Sequence, residues 1–194
     1  MSSQVKPSDR FKKNMIILLE IISEMFEEAS DKKIVESDSK LLTILKVIIN
    51  STNGDYMINN FIKRSNPYWD KIRERDIEYF KNHGLDLFTS VKENGIDSFK
   101  EGDNNFVKNL QDKHIDNFKR ILEATYTIKG KEVDIFDEER KEDIWKIMGS
   151  FVKISISHIH TERTFENGKY SVEYFPEINI KENVDKWDIR GIKF

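Results

Sequence analysis

Apolar residues recur every three or four positions from Phe11 through Met15, Leu18, Leu19, Ile22 and Met25 to Phe26, which predicts a first helix from about Ser8 to Ala29. Ile16, Ile17 and Ile21 widen the stripe. A helix apolar around most of its circumference belongs in a core or beneath a partner. The polar stretch Ser30 to Glu36 ends it, and Ser37-Asp38-Ser39 supplies capping oxygens for a second helix carrying Leu41, Leu45 and Ile48, with Leu42 and Ile49 alongside. Asn53-Gly54 closes that helix, and Asp55 is placed to cap a short third one with Ile58, Phe61 and Ile62 inward.

Asn66-Pro67 predicts the fourth start. The asparagine oxygen can accept from free backbone N–H groups, and proline at the first helical position lacks a donor that would be orphaned anyway. The reading is a helix from Tyr68 to Asn82, stopped by His83-Gly84. Leu85 to Gly102 is broken by Gly95 and Gly102. A fifth helix follows Asp103, aligns Val107, Leu110, His114, Phe118, Ile121 and Leu122, and stops near Gly130. The sixth starts at Asp137, where Glu138 and Glu139 suit the positive end of the helix dipole. It has two stripes, Trp145, Met148, Val152, Ile156 and Ile159 on one side and Ile144, Ile147, Phe151 and Ile154 on the other, so it is central. From Val152 the pattern also alternates at period two among β-branched residues, which leaves a strand as the open alternative. Asn167-Gly168 between short alternating runs signals a hairpin. Beyond Pro176 the residues Ile178, Ile180, Val184, Trp187, Ile189, Ile192 and Phe194 keep no sustained period, the mark of an extended tail docked on its own helices or on another chain.

These elements give a mainly α chain, a five- or six-helix bundle with a small C-terminal β-hairpin and an extended tail. The expected division is 1–161 for the helical domain and 162–194 for the hairpin and tail. The chain has 194 residues, with 13 Phe, 6 Tyr and 3 Trp, enough large apolar surface to offset chain entropy and exclude a disordered or collagen-like reading. It contains 32 Lys+Arg against 35 Asp+Glu, so no whole-molecule field favours a polyanion, and any basic surface is local. There is no cysteine, which excludes disulfides, thiolate nucleophiles and Cys-ligated metals and points to an intracellular setting, the cytoplasm or nucleus of a cell or infected host. The first ten residues hold no apolar signal-peptide region, and no run approaches the roughly 20 apolar residues of a membrane span.

The densest candidate constellation is Phe61 to Arg75, where five basic residues face two acidic ones. Lys63, Arg64, Lys71, Arg73 and Arg75 around Tyr68 and Trp69 match what single-stranded nucleic acid requires, cations beside flat rings. The competing reading makes Trp69 core and the cations its solvated edge. Asp76 falls between Ile72 and Phe80 on an apolar stripe and needs a partner, for which Arg73 is the candidate in a buried ion pair. Of the histidines, His83 closes a helix and His114 interrupts a stripe, while His158 and His160 share a face only if their segment is a strand. No third or fourth ligand has metal-site spacing, and Asp134, Asp137, Glu138, Glu139, Glu142 and Asp143 suit a helix start better than a cation. The eight glycines form no phosphate loop, so no cofactor is implied. Ser150 and Lys153 match S-x-x-K without its companion elements, and no Gly-x-Ser-x-Gly elbow exists.

At Tyr68-Trp69-Asp70-Lys71-Ile72-Arg73-Glu74-Arg75-Asp76, at Asp143-Ile144-Trp145-Lys146-Ile147, and at Phe175-Pro176-Glu177-Ile178-Asn179-Ile180 with Lys186-Trp187, the chain resembles uncharacterised proteins of large nucleocytoplasmic DNA viruses. The resemblance implies a viral origin and no chemistry. The leading expectation is a non-catalytic helical interaction or structural protein, a viral assembly or virion component, with a protein partner or self-association. The alternative is a nucleic-acid-binding accessory factor using residues 61–75. An enzyme employing carboxylates such as Asp76 is the third.

Overall fold

The computed structural model describes residues 6–36, 39–80, 116–162, 165–166, 169–170, 175 and 178–189. It is mainly α-helical, as the apolar periods predict. The helices are α1 (Pro7–Asp31), α2 (Ser39–Ser51), α3 (Gly54–Ser65), α4 (Trp69–Glu74), α5 (Glu138–Glu162) and α6 (Ile180–Lys186), with a 3-10 turn at Asn66–Tyr68 and further helical residues at 77–80 and 116–122. Two antiparallel hairpins join them: β1 (Thr125–Ile128) with β2 (Lys131–Asp134), and β3 (Phe165–Glu166) with β4 (Lys169–Tyr170). His83, His114, the stretch Leu85 to Gly102, the start of the fifth predicted helix, the Ser37-Asp38 cap, the Asn167-Gly168 turn and the residues after Ile189 lie outside the described residues.

The chain divides into two compact units, each described by itself. Unit one comprises the described residues of Met1–Leu18, Lys46–Arg75 and Trp145–Phe194. Pro7 opens α1, where a missing N–H costs nothing. Phe11 of α1, Phe61 of α3 and Phe151 of α5 form a ring cluster with centroids 5.4, 4.6 and 5.5 Å apart. Such tilted and edge contacts add roughly 0.5–1.5 kcal/mol per pair beyond area burial. Ile58, Ile62, Val152 and Ile156 are fully buried. Asn14 of α1 donates to Ser150 of α5 at 2.7 Å, fixing their register with a polar contact. The α5 segment that also reads as a strand is helical to Glu162, because its two stripes continue unbroken from Trp145.

Several boundaries differ from the sequence reading. Asn53, not Asp55, caps α3, its side chain accepting from the Tyr56 N–H at 3.0 Å. Asn66-Pro67 forms a 3-10 turn between α3 and α4 rather than opening a helix. The helix expected to reach Asn82 ends at Glu74, because Arg75 takes the left-handed conformation (φ 56°, ψ 41°), and residues 77–80 restart it. Ile48 is half exposed while Ile49 is buried, so the covered side of α2 is the Ile49 side. The tail is not extended throughout: Asn179 caps α6, and Ile178, Ile180, Val184 and Trp187 are buried.

Unit two comprises the described residues of Leu19–Leu45 and Asp76–Ile144. Here α1 ends in a Schellman motif, with Ile34 N–H on Ala29 O (2.8 Å), Lys33 N–H on Ser30 O (2.9 Å), and Lys33 at φ 58°. The fifth predicted helix does not reach Gly130. Helical residues end at 122 and the β1–β2 hairpin follows, with Lys129 and Gly130 both at positive φ. Thr125-Tyr-Thr-Ile128 is β-branched and aromatic, and a strand accommodates it better than a helix does. Met25, Ala29, Ile121 and Ile135 are fully buried in this unit.

Candidate functional site

Of the two readings of residues 61–75, the burial of Trp69 agrees with the core one and not with the alternative basic-aromatic platform. Trp69 is 3% exposed, and its indole N–H donates to Ser65 Oγ at 2.9 Å. A buried indole with its polar edge satisfied is a core residue and offers no face for stacking. Tyr68 and Lys71 are half-buried, and Lys63, Arg64, Arg73 and Arg75 are exposed. Lys71 lies 3.8 Å from Glu74 and Arg73 3.6 Å from Asp70, solvated pairs one turn apart. Neither member of the candidate Arg73–Asp76 pair is fully buried. Arg73 is exposed on Asp70, and half-buried Asp76 accepts from the Tyr79 N–H at 3.0 Å, capping the restarted helix. The break at Arg75 takes Asp76 off the stripe that Ile72 begins.

Beside Trp69 lies an open polar cleft of about 210 Å³, lined by Asn66, Asp70, Asn179, Glu182, Asn183 and Lys186 above Pro67 and Ile178. Lys186 bridges its two acids, 3.0 Å from Glu182 and 3.4 Å from Asp70. The hydrogen bond to Glu182, then the charge of Asp70, raises the Lys186 pKa above its ordinary value. The cleft is smaller than the roughly 300–1,000 Å³ of small-molecule pockets, and its charges neutralise one another. The sequence reading missed this feature because α6 is too short to show a period.

Buried polar chemistry elsewhere is structural. His158, 4% exposed on α5, places Nε2 3.1 Å from Asn59 Oδ1 on α3. His160 is half-buried on the same helix and diverges from it by the helical turn. Among the described residues no group of three or more His, Asp or Glu is placed to hold a metal ion. In unit two, Glu28 on α1 accepts from the Tyr126 hydroxyl of β1 at 2.6 Å and pairs with Arg140 of α5 at 2.7 Å. Arg140 also donates to Ile135 O at 2.5 Å, and Lys32 sits 4.6 Å over the Tyr126 ring. The hydrogen bond to Glu28 pushes the Tyr126 phenol pKa up.

The outer face of α2 is the other prominent feature. Ile44, Val47 and Ile48, spaced i, i+3, i+4, are 55%, 62% and 50% exposed, whereas scattered single apolar residues are the ordinary surface pattern. Ser51 continues this face one turn on. The helix contains no acidic residue. Lys12 of α1 donates to Asn50 O at 3.0 Å and thereby fixes the C-terminal end of the helix. No helix of the described residues is long and apolar enough to cross a membrane. No family model matches the chain, and neither a curated protein nor a solved structure matches it.

Proposed function

We propose that this protein is a non-catalytic interaction protein whose contact surface is the outer face of α2. The observation that carries the reading is the stripe Ile44, Val47 and Ile48, three large aliphatic side chains at least half exposed on one helix face. Leaving them in water forgoes roughly 1.5–3 kcal/mol per side chain, which a partner helix or groove recovers. The resemblance to proteins of large nucleocytoplasmic DNA viruses sets this in a viral assembly or virion component. The nucleic-acid alternative loses its stacking residue with the burial of Trp69. The test is affinity purification of the full chain from the infected or native cell, with mass spectrometry, beside a V47D variant whose circular dichroism is unchanged. Co-purifying protein that is retained by the parent and lost by V47D supports the reading, and equal recovery by both removes the α2 face from it.

A further inference from the structure

We infer that unit one carries a second contact surface, independent of the α2 face: a row of cations on α1 that docks on the phosphate backbone of a nucleic-acid duplex. Charge is divided between the two units. The residues of unit one hold eighteen Lys and Arg against eleven Asp and Glu, and those of unit two fourteen against twenty-four. Part of the excess is concentrated. Lys6, at the start of α1, and then Arg10 and Lys13 follow the spacing i, i+4, i+7 and are exposed, so they stand in line on one outward face. Asn14 on Ser150 and Phe11 on Phe151 run α5 opposite to α1 here, which brings exposed Lys153 level with Arg10. Between Trp145 and Thr161 α5 has no acid, and Asp9 is the one carboxylate among residues 6–19.

Other cations have acids to meet, as Lys71 has Glu74, Arg140 has Glu28 and Lys186 has Glu182. Among the described residues the side chains of Lys6, Arg10, Lys13 and Lys153 have neither an ion pair nor a hydrogen bond. Lys6 and Arg10 also lie at the positive end of α1, where the helix dipole disfavours them, so the row gains nothing from its own fold. An anionic partner supplies what the fold withholds. The row is about 10 Å long, and that length of duplex carries about six phosphates, three on the near strand, one for each cation. Lysine is depleted from protein interfaces and frequent at phosphates, and no aromatic ring stands in the row for a single strand to stack on. Nor does the face suit a lipid surface: α1 turns its apolar stripe into its own core, with Phe11 1% exposed, and leaves Ile17, 37% exposed, beside the cations.

Fluorescence anisotropy of a short labelled duplex of mixed sequence, titrated with the full chain, tests the contact. Four phosphate contacts give a fall of log Kobs with log salt at a slope of about −3.6, which is about a 150-fold loss of affinity between about 50 and 200 mM. R10Q/K13Q removes two of the four and is expected to halve the slope to about −1.8, leaving about a 12-fold loss over the same range. Its circular dichroism and urea midpoint are expected to hold or rise, since glutamine keeps the helix propensity and relieves the dipole. K131Q/K181Q, the same loss of charge at exposed positions off the row, is expected to bind as the parent does. No binding at about 50 mM salt, a slope that R10Q/K13Q leaves unchanged, or equal weakening by K131Q/K181Q overturns the proposal. So does tighter binding to the single strand, to polyglutamate or to phosphatidylserine vesicles than to the duplex, because each identifies a different anion as the occupant. V47D is expected to bind duplex as the parent does, so this surface and the α2 face stand or fall separately.

Discussion

Two glycines show how a single missing Cβ decides what a helix can lie against. A Cβ on Gly54 would stand 2.7 Å from Ser8 Cβ and 3.2 Å from Ser8 O, so α1 and α3 meet here only because the side chain is absent. G54A is expected to lose about 1–3 kcal/mol in urea unfolding, the usual cost of overpacking. A Cβ on Gly149 would meet Trp187 Cζ3 at 3.6 Å, ordinary van der Waals contact, within the interior of α5. G149A is therefore expected to stabilise by up to about 1 kcal/mol through helix propensity. If both variants shift the same way, the packing argument is wrong. Tyr126 makes a different residue-scale statement. Its folded pKa lies above the ordinary 10.0, mainly through the hydrogen bond to Glu28, so the unfolded chain gives up its proton first as pH rises. The stabilisation is complete below about pH 10 and is lost as pH climbs through the folded value. Ultraviolet titration, taken as the difference between the parent and Y126F, is expected to place this phenol above 10.0 and E28Q to bring it back toward that value.

At the scale of elements, the β1–β2 hairpin turns on Lys129-Gly130, two residues with φ of 48° and 78°. That double positive φ belongs to a type I′ turn, for which asparagine at the first position is far better suited than lysine. K129N is expected to stabilise the chain by about 0.5–1 kcal/mol and G130A to destabilise it by a similar or larger amount, read as shifts in the urea midpoint. The same turn explains why the hairpin is hard to read. Lys-Gly lacks the Asn-Gly signature, and the preceding stripe through Phe118, Ile121 and Leu122 invites a helix to continue to the glycine. The long helices α1 and α5 were legible because 25 residues each repeat the 3.6 period and Asp137 offers a true cap, accepting from the Arg140 N–H at 2.9 Å. The break after Glu74 was not, since no glycine or proline marks Arg75, and α6 shows only two turns. The site followed the same rule. Burial statistics already favour core over platform for Trp69, and Ser65, four residues earlier, satisfies its N–H there. On α2 the stripes Leu45–Ile49 and Ile44–Val47–Ile48 are equally apolar, and which side faces water is decided by tertiary packing alone.

At the scale of the whole molecule, the aromatic C-terminal segment is part of the protein's own core. Ile180 is 1% exposed and Trp187 6%, and the Trp187 ring lies against Gly149 of α5. Among the described residues its buried indole N–H finds no hydrogen-bond partner, which subtracts from what the ring contributes. W187A is accordingly expected at the lower end of the usual range for a large aromatic, about 3 kcal/mol. Ending the chain at Phe175 removes Ile178, Ile180 and Val184 as well, a loss comparable with the roughly 5–15 kcal/mol of a typical domain. The truncated chain should show an early or absent cooperative transition in urea and exposed apolar surface by dye binding. Any association it displays would then report unfolding, which is why V47D, a change confined to one exposed position, is the informative probe of assembly. A truncated chain as stable as the parent, with the same light-scattering profile, would show instead that the segment is an appendage, and that the burial of Trp187 contributes nothing to the fold.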